Sequence, residues 1–531
     1  MNTYNRFGVM LDMSRNAVMK PEEVMRFMDV LKKMGYNTVG LYLEDVYQID
    51  GEPYFGYLRG RYTAQEIKEI DGYAKSIDMQ VIPYIQTLAH LNGLVRHSAY
   101  QDVFDLEDVL LIDEPKTYCL IDKMLAFCAE NFSSKIINIG MDEAFNVGLG
   151  NYLKKHGYKD KYEILLRHLN KVVDIAKKHG LTPNMWSDMF FRIACGGYEP
   201  TMDIPDSVKE LVPDVGLEYW DYYHKDKAFY DGMFKSHFKF NKSVCFAGGA
   251  WCWHGFAPLS TYSLQTMKPA MQSVREHGVK DVIITMWGDG GHECSFYSLL
   301  PVLYAIRQFA DGNYDTYKIE KGFEQLIGLS YKDFMLLETP NLFDFSEVLD
   351  QPHNPCRVLL YSDIFMGYLD KNLQNYQKSI PYGVYAEKLN DAKNRAGDYA
   401  YLFDFMAKLC SALELKADMG IKLRKAYKNN DKIQLKKLAF DIDLIKERVY
   451  AFHKAFSILW HKENKPYGFE IHDARLGGLI MRLTTCKERL IDYLEGKVQN
   501  IPELEEEILT CDDGKLLRHH DYTQIISNSR M

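Results

Sequence analysis

The strongest constraint on the fold is a strict alternation of short apolar runs and amphipathic stretches over the first 310 or so residues. The runs at 8–13 (GVMLDM), 38–43 (TVGLYL), 80–85 (QVIPYI), 136–139 (IINI), 183–186 (PNMW), 216–220 (GLEYW), 243–246 (SVCF) and 282–286 (VIITM) read as eight buried strands. Helical patterns fill most of the gaps, the first opening at Pro21, since proline suits the first turn of a helix. Strand and helix in alternation imply parallel strands, and eight such units predict an α/β fold of the closed (β/α)8 TIM-barrel type. An open doubly wound sheet is the competing arrangement.

Nearly every predicted strand ends in polar or aromatic residues: Asp12 with Arg15, Glu44 and Asp45, Gln86 with His90, Asp142 and Glu143, Trp186 with Asp188, Trp220 and Asp221, Trp251 with Trp253, and Trp287 with Asp289. Five of the 6 tryptophans occupy such places. In a barrel these ends form one mouth, where catalytic groups gather. At 136–146 (IINIGMDEAFN) a glycine interrupts the strand just before the adjacent carboxylates Asp142 and Glu143. Strand neighbours point to opposite faces, so both can reach one pocket only if the chain leaves strand geometry there, which Gly140 permits. Two carboxyl groups at one mouth can then divide labour between proton donor and orienting anion. An Asp-Glu pair complementing a helix N-terminus is the structural alternative.

Beyond about residue 310 the strands stop. Leu438, Ile442, Ile445, Val449, Phe452, Phe456 and Leu459 trace one face of a long helix; Leu479, Leu483, Cys486 and Leu490 begin another, and 399–409 has similar character. The division expected is a barrel at 1–310 and an α-helical C-terminal domain at 311–531, which two helical subdomains could share. The two glycines in 473–478 (DARLGG) interrupt the helical pattern and read as an interhelical loop. A net charge of −9 offers nothing to nucleic acid or an anionic membrane. No basic segment followed by an apolar run is visible at the amino terminus, and the 10 cysteines are dispersed without Cys-x-x-Cys, so a cytoplasmic location with reduced thiols is expected. No metal site is expected, and the long apolar stripe of the helical half predicts a homodimer.

The barrel half resembles glycoside hydrolase family 20, the exo-acting β-N-acetylhexosaminidases, over about residues 6–295. The closest likeness is to the short bacterial N-acetylglucosaminidase branch, which carries a helical region after the barrel. The segment 139–143 (IGMDE) is similar to the family's strand-four signature, and 10–15 (MLDMSR) to the first-strand motif whose arginine grips sugar hydroxyls. The segment 83–90 (PYIQTLAH) resembles the third-strand motif, with Tyr84 and Gln86 where acidic residues are usual and His90 retained. The segment 286–289 (MWGD) resembles the eighth-strand motif, with Asp289 in place of the usual glutamate and Glu293 near enough in sequence to share hydroxyl recognition.

The resemblance implies Asp142 and Glu143 as catalytic residues. It implies Arg15, His90, Trp186, Trp220, Trp251, Trp253, Trp287, Asp289 and Glu293 as substrate-binding ones. The family's strand-seven tyrosine has no clear equivalent in 246–254 (FAGGAWCWH), where Trp251, Trp253 or His254 stands instead. The implied activity removes a terminal non-reducing β-linked N-acetylglucosamine, or N-acetylgalactosamine, from an oligosaccharide or glycoconjugate. The substrate's own acetamido oxygen serves as nucleophile and no cofactor is needed. Two other readings stay open: a non-hydrolytic carbohydrate-binding barrel, and a retaining glycosidase whose second carboxylate is Asp188 or Asp289.

Overall fold

A computed structural model of the chain describes residues 4–200, 204–343, 351–375, 380–511, 521–527 and 529. All eight predicted strands form: β1 (Arg6–Asp12), β2 (Thr38–Tyr42), β3 (Gln80–Tyr84), β4 (Ile136–Asn138), β5 (Thr182–Trp186), β6 (Gly216–Trp220), β7 (Val244–Gly249) and β8 (Asp281–Met286). They close in sequence order into a parallel barrel, with β8 returning to pair with β1. The doubly wound alternative is excluded by that closure.

Parallel strands buried on both faces read as continuous apolar runs, and β1 and β2 are buried at every position. Met10, Tyr42, Ile82, Tyr84, Trp186, Cys245, Ala247 and Ile283 pack together as one core cluster. Space for these rings comes from small neighbours. A Cβ on Gly40 would sit 2.7 Å from the Tyr84 ring and 3.2 Å from Met10. The surrounding helices start on local signals: Pro21 opens Pro21–Lys33, Thr63 and Glu66 form a reciprocal capping box on Ala64–Ser76, and Asp160 caps Lys161–Lys178.

The chain divides into two compact units that interleave along the sequence. The first comprises 1–250, 263–287 and 302–319; the second comprises 251–262, 288–301 and 320–531. The segments after β7 and β8 thus belong to the second, helical unit. Its long helices are Ala400–Lys416, Lys432–Glu463 and Phe469–Leu494. Every residue of the stripe Leu438 to Leu459 is buried, as are Leu479, Leu483, Cys486 and Leu490. Phe405 stacks on Phe452 at 5.1 Å and lies 5.0 Å from Phe456. Glu463, 1% exposed, accepts hydrogen bonds from Ser295 Oγ at 2.7 and 2.8 Å and from the Tyr401 hydroxyl at 2.7 Å. Among the described residues no helix is long and apolar enough to cross a membrane.

One expectation is corrected. The segment 473–478 is no loop, since the helix Phe469–Leu494 runs through it. Two interior glycines cost about 1 kcal/mol each relative to alanine. Burial of Leu476, Leu479, Leu483 and Leu490, at about 1.5–3 kcal/mol per side chain, outweighs that cost.

Gly40→Ala is expected to lower the stability of the barrel by about 1–3 kcal/mol through overpacking against Tyr84. Urea unfolding followed by tryptophan fluorescence reads the change, and an unaltered midpoint would mean that Tyr84 and Met10 can withdraw at no cost.

Candidate active site

Strand β4 is only three residues long, and the turn after it decides the chemistry. Gly140 (φ 74°), Met141 (φ 72°) and Glu143 (φ 52°) take left-handed backbone conformations. At position 140 only glycine fits, because a Cβ there would lie 2.1 Å from Gln86 Oε1. The turn is tied down by Asn138 Oδ1, which accepts from the Gly140 N–H at 2.7 Å, and by Gln86 Oε1, which accepts from the Met141 N–H at 3.2 Å. Breaking strand alternation in this way brings Asp142 and Glu143 to the same neighbours. Nε2 of His90 lies 3.3 Å from one Asp142 oxygen and 3.7 Å from a Glu143 oxygen.

These neighbours separate the two acids. Gln86 Nε2 donates to the other Asp142 oxygen at 2.7 Å and to the Tyr42 hydroxyl at 2.9 Å. Burial alone would push the Asp142 carboxyl up, but His90 and the Gln86 hydrogen bond outweigh it and hold the group below the usual aspartate value. Burial would likewise pull the His90 imidazole down, yet Asp142 lifts it to about 9, so the pair stands as anion and cation at neutral pH. Glu143 moves the opposite way. Burial first, and then the Asp142 charge, raises its carboxyl above the usual glutamate value, against the opposing pull of His90, Arg192 and Arg15. One acid stays ionised while its neighbour keeps a proton more readily, the arrangement a general acid requires.

A third carboxyl lies beside them. Asp188, fully buried at the start of the helix Asp188–Cys195, accepts from the Glu143 N–H at 3.4 Å and stands 3.3 Å from Arg192 Nε. Burial, with help from the Asp142 charge, raises it to about 7.

Around the ends of β1 and β2, Arg15 donates to Glu44 and, at 2.8 Å, to Ser14 Oγ, while Asp12 accepts from the Ser14 N–H and Oγ at 2.8 and 2.6 Å. The aromatic wall comes from β5, β6 and β8. Trp186 and Trp287 have ring centroids 6.1 Å apart; Tyr84 lies 5.7 Å from Trp186, and Tyr42 meets Trp287 edge-on at 4.8 Å. The Trp186 indole N–H is buried without a hydrogen-bond partner. Trp220 stacks on Tyr222 at 5.6 Å and lies 5.3 Å from Tyr198.

The first unit therefore brings together Arg15, His90, Asp142, Glu143, Trp186, Trp220 and Trp287. The other four candidates belong to the helical unit. Trp251 and Trp253 stack on each other at 4.1 Å and are almost fully buried. Asp289 is half-buried. Glu293 is buried, and its oxygens accept from Arg357 Nε at 2.6 Å, Arg475 Nη1 at 3.0 Å and the Tyr361 hydroxyl at 3.5 Å. Sequence reasoning missed Arg192, Phe145 and Tyr198. For Arg192 the available signal was its place four residues after Asp188 at a helix start, the spacing of a helical ion pair.

Comparison with known proteins matches residues 4–226 to the catalytic domain of glycosyl hydrolase family 20 and residues 332–521 to the glycoside hydrolase 20C C-terminal domain. Bovine hexosaminidase D is 24% identical over 307 residues, covering 51% of this chain and 82% of that protein. Human hexosaminidase D is 23% identical over 223 residues, 39% of this chain and 43% of that protein. Among solved structures, the family 20 exo-β-N-acetylglucosaminidase of Vibrio harveyi in complex with N-acetylglucosamine aligns with a TM-score of 0.45 at 15% identity, covering 61% of this chain and 58% of that one. The β-N-acetylhexosaminidase of Bacteroides fragilis aligns with a TM-score of 0.46 at 18% identity, covering 61% and 71%. With one family match on the barrel and a second on the helical half, the chain belongs to glycoside hydrolase family 20 and is a glycosidase.

Proposed function

We propose that the chain is an exo-acting β-N-acetylhexosaminidase that removes a terminal non-reducing N-acetylglucosamine, or N-acetylgalactosamine, with retention of configuration. The observation that carries this reading is the opposite displacement of two adjacent acids, Asp142 held ionised by His90 and Gln86, Glu143 raised towards a proton-holding state. In the first step the 2-acetamido carbonyl oxygen attacks the anomeric carbon. Glu143 gives its proton to the departing glycosidic oxygen, and the sugar becomes a cyclic oxazolinium. Asp142 orients the acetamido N–H and balances the positive charge on that nitrogen. In the second step Glu143, now a carboxylate, takes a proton from water as the water opens the ring. Trp186 and Trp287 suit the walls of an acetamido and sugar-face pocket, and Arg15 presents a fork of donors to neighbouring hydroxyls. Trp220 is assigned to the same sugar by resemblance.

The reading with a protein nucleophile names Asp188 or Asp289, of which Asp188 is the one in contact with Glu143. A carboxyl raised to about 7, fully buried under the Glu143 backbone, is a poor nucleophile, which favours the substrate-assisted route.

Glu143→Gln is expected to lower turnover of a natural disaccharide by roughly 10²–10⁴-fold, and that of an activated aryl glycoside less. Steady-state kinetics on the two substrates test this, and a wild-type rate on the disaccharide removes Glu143 as the acid.

The active form needs Asp142 charged and Glu143 protonated. Its kcat/KM should therefore rise with pH through the depressed Asp142 value and fall through the raised Glu143 value. His90 lowers both, so His90→Gln should move both limbs of the profile to higher pH. Limbs that stay put, or move down, would show that His90 does not govern this pair.

A further inference from the structure

If Glu143 protonates the departing oxygen, the groups just beyond Glu143 meet the part of the substrate that leaves. Phe145, two residues further along, is an aromatic ring 46% exposed to solvent. The Arg192 guanidinium lies 5.3 Å from the Phe145 ring centroid, 5.8 Å from Trp220 and 5.9 Å from Tyr198. It is thereby held over the end of β5 between rings from the loop after β4 and from the end of β6, with its side chain still 30% exposed.

The counter-charge at hand is Asp188, 3.3 Å from Arg192 Nε. Because burial raises that carboxyl to about 7, it supplies less than a full negative charge at neutral pH. A second cation stands at the same turn, where Lys161 Nζ donates to the Phe145 carbonyl. The acids that face this corner, Asp142 and Glu143, are respectively paired with His90 and inclined to hold a proton.

We propose that this corner is a leaving-group subsite for an anionic residue: a ring that stacks on Phe145 and carries a carboxylate paired with Arg192. A guanidinium presents parallel donors that match a carboxylate, and a nearby aromatic face suits the apolar face of a sugar or aryl ring. The inference rests on the assignment of Glu143 as the acid, and it names the class of aglycone, which that assignment leaves open. The preferred substrates are then β-N-acetylhexosaminides linked to a sugar acid or another carboxylated group.

The test compares 4-(carboxymethyl)phenyl and 4-methylphenyl N-acetyl-β-glucosaminides, whose phenols are similar in acidity, so that a rate difference reports recognition. The wild-type kcat/KM should favour the carboxylated substrate by roughly twofold to fivefold, as a partly exposed charge pair gives, and the gap should narrow with added sodium chloride. Arg192→Met should bring the ratio to about one, while Arg192→Lys should keep part of it. The ratio is internal to each variant, so a general loss of rate does not obscure it. Equal wild-type values on the two substrates, a preference insensitive to salt, or a ratio that survives Arg192→Met each overturn the subsite. Failure to hydrolyse either substrate or its N-acetyl-β-galactosaminide counterpart overturns the hexosaminidase reading and the subsite with it, whereas equal hydrolysis of both overturns the subsite alone.

Discussion

Two side chains on consecutive residues cannot face one pocket from a regular strand, and the chemistry of this chain hangs on evading that rule. The evasion is a tight left-handed turn after β4, possible only because position 140 has no Cβ and because Gln86 fills the space a Cβ would take. Gln86 links three parts of the mouth. It receives the backbone of the turn, donates to the carboxylate that the turn presents, and reaches the Tyr42 hydroxyl on a neighbouring strand. Backbone geometry and electrostatics are thus set by the same amide.

Strain is concentrated in that region. Asn16, Glu44, His90, Met141 and Glu143 all have positive φ, and all lie just past the carboxyl ends of β1 to β4. Such residues cost of order 1 kcal/mol or more each and persist only where their surroundings fix them. Here the surroundings include a barrel core whose buried rings supply the stability that the mouth gives up. The result is a set of ionisable groups that cannot relax away from one another: an aspartate beside an imidazolium, a glutamate beside the aspartate, and a third carboxyl beneath both.

The barrel was legible in the sequence because parallel strands buried on both faces leave uninterrupted apolar runs, and because the ends of those runs carry rare residues such as tryptophan. The Asp142-Glu143 pair was legible as a motif. The reason both acids reach one pocket was only half visible, in Gly140, since the matching Gln86 lies beyond another strand. The helix through 473–478 is hidden because local glycine cost is a short-range signal, while the burial of Leu476 and Leu479 that overrides it depends on partners elsewhere in the fold. Glu293 illustrates the same limit: nothing in its neighbourhood along the chain announces Arg357 or Arg475.

The reach of that last pair carries a consequence for how the protein is made. Glu293 is buried with an arginine 64 residues later and another 182 residues later as its counter-ions. At a synthesis rate of about 5–20 residues per second, the second arginine leaves the ribosome roughly 10–40 s after the glutamate. Burying a carboxylate away from its partners is costly, so the nascent segment beyond β8 gains its full set of counter-ions only once residue 475 has been made. The helical unit therefore reaches its final packing only after Arg475 has been made.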